Sequence, residues 1–154
     1  MALHSIQAEA GTGPELSVLL PAYNEEACIA NVVREATGVL RGLERSFEII
    51  VVDDGSTDAT PARLQALRAE LPELRILRLP KNSGQSAALG AAFQAARGKI
   101  FVTLDADGQN DPADIPALVA KLAECDLCCG IRTKRRDTWS KRFGSRLANA
   151  IRNR

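Results

Sequence analysis

Histidine is almost missing from this chain: there is one, His4, in 154 residues, and it lies near the start. Nucleophile activation by histidine is therefore not expected. Cysteine is sparse as well, with four. Cys125, Cys128 and Cys129 are spaced like half of a metal knuckle, yet no second pair and no suitably spaced histidine completes one. Leu127-Cys128-Cys129 reads more simply as a buried strand in which cysteine acts as a small apolar residue. Cys28 falls near a helix start with no base beside it, and four cysteines make no disulfide framework. Aromatic residues make up only 4% and no recognition module is visible, which argues against a nucleic-acid partner. No apolar run approaches the ~20 residues of a membrane-spanning helix. Met1–Gly13 lacks the basic start and apolar centre of a signal peptide and reads as a disordered lead-in, so a cytoplasmic chain is expected.

The chain is 45% hydrophobic, enough for one domain with a real core. Short apolar runs alternate with longer helical ones. Leu16–Leu20, Phe47–Val52, Leu74–Leu79 and Ile100–Leu104 read as strands, with a short fifth at Asp126–Gly130. Helices are predicted from Ala27 to Leu43, from a cap at Asp58 to Leu71 with Pro61 in the first turn, and over Ser86–Arg97, where Gly98 would stop the helix. Another begins at Pro112 behind a cap at Asp111 and runs to about Cys125, and Thr138–Arg154 is helical. The fold class is α/β, with a mainly parallel sheet flanked by helices.

Chemistry concentrates where the strands end. Ile100 to Leu104 runs into Asp105-Ala106-Asp107-Gly108-Gln109. Carboxylates at spacing two just past a strand share one face. Two hard oxygen ligands there form a seat for Mg²⁺ or Mn²⁺, typically shared with a diphosphate. In open α/β sheets ligands bind beyond the carboxyl ends of the strands. After the first strand, Tyr23 offers a flat face for a base or ribose and Glu25 an acceptor for sugar hydroxyls; an acidic first helical turn explains Glu25 equally well. After the second, Asp53-Asp54-Gly55-Ser56-Thr57-Asp58 holds two acids that helix capping leaves unexplained; they could accept a base N–H or support a metal site. After the third, Lys81-Asn82-Ser83-Gly84 allows a tight turn before a helix start that could face a phosphate, but the spacing is not that of a P-loop.

Together these segments resemble the family 2 glycosyltransferases of the Rossmann-like GT-A fold, most closely the dolichol-phosphate mannose synthase branch and its polyprenyl-phosphate relatives. The matching elements are Pro21-Ala22-Tyr23-Asn24-Glu25, Asp53 to Asp58, Asn82-Ser83-Gly84, Asp105 to Gln109 and Gly130-Ile131-Arg132, in family order from Leu16 onward. The resemblance implies that Pro21, Tyr23 and Glu25 contact the nucleotide, that Asp54 reads the base with Asp53 nearby, and that Asn82, Gly84 and Ala106 also meet it. It implies that Asp105 and Asp107 hold metal and diphosphate with Gln109, and that Arg132 steadies phosphate charge. The implied reaction moves a sugar, a hexose such as mannose or glucose, from a GDP- or UDP-sugar to a polyprenyl or dolichyl phosphate. That acceptor is already ionised, so no general base is required. Two other readings stay open: a family 2 transferase using a hydroxyl acceptor for polysaccharide or glycolipid, and a truncated, non-catalytic nucleotide-sugar-binding module.

Residues 1–14 are then a lead-in, 15–131 the nucleotide-sugar-binding domain, and 132–154 the first acceptor-side helix of a longer protein. Residues 132–154 carry nine Lys and Arg against Asp137, a net +8 in a chain of net +1, so residues 1–131 carry −7. At about 100° per residue, Trp139, Phe143, Leu147, Ala150 and Ile151 share a face opposite most of Lys141, Arg142, Arg146 and Arg152. A basic amphipathic helix of this kind suits an anionic membrane surface, which makes the expected location peripheral, at the cytoplasmic face.

Overall fold

The computed structural model describes residues 13–130. Arg132, the basic segment 132–154 and the lead-in to residue 12 lie outside the described residues. Four parallel strands form one sheet: β1 Leu16–Ala22, β2 Phe47–Asp53, β3 Leu74–Arg78 and β4 Ile100–Thr103, in the order β3-β2-β1-β4. The helices are α1 Ile29–Arg41, α2 Thr60–Glu70, α3 Gln85–Ala95 and α4 Ile115–Lys121, the last preceded by a 3₁₀ turn at Pro112–Asp114. β1 and β2 are near-continuous apolar runs because both faces of the sheet are covered. Leu16, Val18 and Leu20 face α1, α2 and α4 along with Ile49 and Val51. Leu19, Ile50 and Val52 face α3, whose Ala88 and Ala92 are small enough to bring it close to the strands.

The connections explain where a cleft can form. β1 to β2 to β3 step in one direction, with α1 and α2 on one face. The β3–α3–β4 link steps back across the sheet, so a right-handed crossover places α3 on the other face. The strand order therefore reverses between β1 and β4, and a crevice opens at their carboxyl ends. Pro21 sharpens the split. Leu104 N–H donates to Leu19 O at 3.0 Å, and the next bond of that ladder would need an N–H from position 21. Proline has none, so β1 and β4 part there.

Three expectations need correction. Asp126–Gly130 is not a strand: Leu127 is 78% exposed and Cys129 exposed, and no described strand pairs with the segment. An apolar triplet becomes a strand only where a ladder partner and a covering layer exist. Gly98 does not stop a helix, since α3 ends at Ala95 and Ala96 is already extended. A Cβ at Gly98 would lie 2.7 Å from Ser17 N, and Gly98 N–H donates to Ser17 Oγ at 2.8 Å. Glycine is there to let the chain pass close to β1. The helix expected from Pro112 to Cys125 is instead the 3₁₀ turn Pro112–Asp114, which Asp111 caps by accepting from Ala113 N–H, followed by α4, which ends at Lys121.

Candidate active site

The cleft at the switch point measures about 410 Å³, within the range of small-ligand sites. The β1–α1 loop contributes Pro21, Tyr23 and Glu25; the β2–α2 loop contributes Asp54. Asn82 and Gly84 come from the β3–α3 loop and Gln85 from the start of α3, and Asp105, Ala106 and Asp107 from the loop that follows β4. Nine residues singled out in the sequence thus come together around one cavity. Asp53 and Gln109 do not line it, and Arg132 is outside the described residues.

The β2–α2 loop organises its neighbours. Asp54, 3% exposed, accepts from Ser83 N–H through one oxygen and from Gly84 N–H through the other, both at 2.8 Å. It therefore fixes the backbone ahead of α3 as well as facing the cleft. Asp53, 1% exposed, works behind the wall: Oδ1 accepts from Ser56 N–H, and Oδ2 lies 3.2 Å from Arg78 Nε without hydrogen-bond alignment. Asp58 accepts from Thr60 and from Glu26 N–H. Partial desolvation pushes its carboxyl up, but those bonds outweigh it and hold the group below its ordinary value. Glu26 in turn accepts from Ala59 N–H, so the β1–α1 and β2–α2 loops are tied reciprocally.

Gly55 has φ +70°, and a Cβ on it would lie 2.6 Å from the Lys81 carbonyl carbon. Gly55→Ala is therefore expected to destabilise the fold by about 2 kcal/mol or more, from the left-handed backbone and the forced shift of residues 81–82. Gly38, inside α1 with open space around it, is the control. Gly38→Ala should stabilise by about 0.5–1 kcal/mol. Denaturant unfolding of the two variants checks both signs.

At the far wall, Asp105 Oδ1 accepts from Gln85 Nε2 at 3.1 Å and Oδ2 from Asn110 Nδ2 at 3.2 Å. Asp107 Oδ1 accepts from Gln109 N–H at 2.9 Å. Ala106 between them is buried against the core, and both carboxylates line the cleft. Across it, burial chiefly, and then the charges of Asp107 and Asp58, raise the pKa of Glu25. Hard carboxylate oxygens on an open, negatively charged cleft are a donor set that fits Mg²⁺ or Mn²⁺. Among the described residues no cluster of three His, Cys, Asp or Glu completes a closed protein site. Gln85 and Asn110 were not marked by the sequence reading. Gln85 follows Gly84 at the start of α3 and Asn110 lies five residues past Asp105, but only the fold shows that both reach that carboxylate.

A four-stranded parallel sheet with an Asp-x-Asp on a switch-point cleft is the nucleotide-binding architecture of GT-A glycosyltransferases. Comparison with known proteins agrees. The model of the family described as "Glycosyl transferase family 2" matches residues 17–154, and the chain belongs to that family. It is 44% identical over 137 residues to the undecaprenyl-phosphate 4-deoxy-4-formamido-L-arabinose transferase of Pseudomonas paraeruginosa, covering 87% of this chain and 40% of that protein. Among solved structures it is similar to a mannosyltransferase from Pyrobaculum calidifontis in complex with GDP-Man and Mn²⁺, with TM-score 0.61 and 28% identity over 79% of this chain and 36% of the other. It is also similar to the glucosyl-3-phosphoglycerate synthase of Mycobacterium tuberculosis in complex with UDP, with TM-score 0.59 and 33% identity, covering 73% and 41% respectively. The chain spans about 40% of the length of the curated relatives it matches.

Proposed function

We propose that this chain carries the donor-binding half of a transferase that moves a sugar from a nucleoside diphosphate to a polyprenyl phosphate. The observation that carries the reading is the convergence of Tyr23, Glu25 and Asp54 with Asp105 and Asp107 around one 410 Å³ cleft. Tyr23 supplies a face for base or ribose, Glu25 an acceptor for sugar hydroxyls, and Asp54 an acceptor for a base N–H beyond its two backbone bonds. Asp105 and Asp107 would hold Mg²⁺ or Mn²⁺, with donor phosphates and water filling its remaining positions. The cation's chemistry would be that of a Lewis acid, offsetting charge on the departing nucleoside diphosphate. Gln85 and Asn110 keep Asp105 oriented, and Asp54 keeps the α3 start against the cleft. A phosphate acceptor is ionised at neutral pH and needs no proton removed from it, so no base is assigned.

On the acceptor side we assign Arg132 to phosphate charge and residues 132–154 to an anionic membrane surface, on their sequence. No helix among the described residues is long and apolar enough to cross a membrane. With anionic vesicles the full chain is expected to sediment, less as salt rises and less with neutral lipid, each basic residue near the surface adding about 1 kcal/mol. Gln at positions 141, 142, 146 and 152 should release it without changing nucleotide binding.

The deciding assay offers vesicles containing polyprenyl phosphate together with GDP- and UDP-linked sugars. Mannose and glucose are the hexoses to test; formamido-arabinose, the sugar named for the Pseudomonas protein, is the third. Metal-dependent sugar transfer to the lipid phosphate supports the reading. Transfer only to a sugar hydroxyl moves the protein to the polysaccharide or glycolipid class. Nucleotide binding without any transfer leaves the donor module alone.

A further inference from the structure

We propose that Asn24, which does not line the cleft, sets the aim of the two cleft residues that flank it, Tyr23 and Glu25. It is a positioning residue for the nucleotide, and this role rests on the donor-site reading above. Asn24 has φ 55°, a left-handed backbone that Asn tolerates and most side chains resist. The local chain reversal sends the Asn24 side chain to the β2–α2 loop, while Tyr23 and Glu25 on either side line the cavity.

The peptides of Asn24 and Glu25 are both fastened to the same neighbour. Asn24 N–H donates to Ser56 Oγ at 2.9 Å, and Glu25 N–H to Thr60 Oγ1 at 2.9 Å. In return, Asn24 Oδ1 accepts from Thr57 N–H at 2.9 Å and, more weakly, from its hydroxyl at 3.4 Å. The anchors are themselves fixed. Ser56 is 3% exposed and its N–H donates to Asp53; Thr60 is 0% exposed at the start of α2. Asn24 alone both adopts the reversed backbone and exchanges bonds in both directions. Tyr23, 42% exposed, has little packing of its own to hold its ring, so the backbone on its C-terminal side decides where the ring stands.

Tyr23 is the only tyrosine, so the full chain labelled with 3-fluorotyrosine gives one ¹⁹F resonance. In Asn24→Gly, which keeps the backbone conformation and drops the amide, that resonance should move toward its urea-unfolded position. Affinity for GDP or UDP with Mg²⁺ should fall about two- to tenfold, the effect of one hydrogen bond. Thr60→Val should act likewise, and Thr60→Ser, which keeps the hydroxyl, should restore both readouts. An unchanged ¹⁹F position with unchanged affinity in Asn24→Gly and Thr60→Val would overturn the proposal. If the unsubstituted chain binds neither nucleotide, the donor-site reading fails, and the ¹⁹F positions of the unliganded variants still decide whether Asn24 aims Tyr23.

Discussion

Asp107→Ala is expected to abolish the increment that Mn²⁺ or Mg²⁺ adds to GDP or UDP binding while leaving the fold intact. The side chain faces the cleft, and the adjoining core contacts come from Ala106 and Leu104, which the substitution does not touch. Metal affinity should drop by at least about 100-fold, since even the loss of an outer-shell partner costs about 10–100-fold. Asp105→Ala is a poorer experiment, because it also removes the acceptor of the Gln85 and Asn110 amides. Gln85→Ala and Asn110→Ala, which leave both carboxylates in place, should weaken metal binding by about tenfold each. Manganese paramagnetic resonance and calorimetry with EDTA as the control measure these effects. Equal nucleotide affinity with and without metal in the unsubstituted chain would remove the metal from the site.

The second large effect lies at the opposite end of the sheet. Glu48, 2% exposed in β2, accepts from Ser17 Oγ and Arg97 N–H through Oε1, and from Arg75 and the Arg97 side chain through Oε2. These bonds tie the α3–β4 link to β1, β2 and β3. Burial pushes the Glu48 carboxyl up from its ordinary 4.5, but the bonds from Arg75, Arg97 and Ser17 outweigh it and hold the group below that value. Glu48→Ala should cost about 3 kcal/mol, the low end for breaking a buried pair, because the Arg97 and Arg75 heads can regain water. A depressed folded value means the contribution is complete at neutral pH and disappears as pH falls below the unfolded-chain value and through the folded one. Urea midpoints taken between about pH 7 and pH 3 should fall for the unsubstituted chain and be flatter for Glu48→Gln. Parallel pH curves for the two would show that Glu48 is not the acid-sensitive group.

The four central strands and the loops that follow them were legible because a sheet covered on both faces needs apolar runs, and polar clusters then mark where each run ends. Asp105 and Asp107 were legible for the same reason, since spacing two past a strand is a local property. What stayed hidden depends on partners far along the chain. Asn24 has no role of its own in the sequence until Thr57 is beside it, and Asp53 reads as a ligand contact until Ser56 and Arg78 enclose it. Gly98 reads as a helix stop until Ser17 is seen against it. Leu127-Cys128-Cys129 reads as a strand by composition, and only the absence of a described ladder partner and its exposure show otherwise.

One measurement bears on donor binding most directly: a crystal of the full chain grown with Mn²⁺ and a nucleoside diphosphate, with anomalous scattering recorded for the metal. The expected map has the manganese peak between Asp105 and Asp107, the diphosphate on it, and the base beside Tyr23 and Asp54. A nucleotide bound elsewhere, or a manganese peak that neither carboxylate touches, would contradict the assignment of this cleft as the donor site.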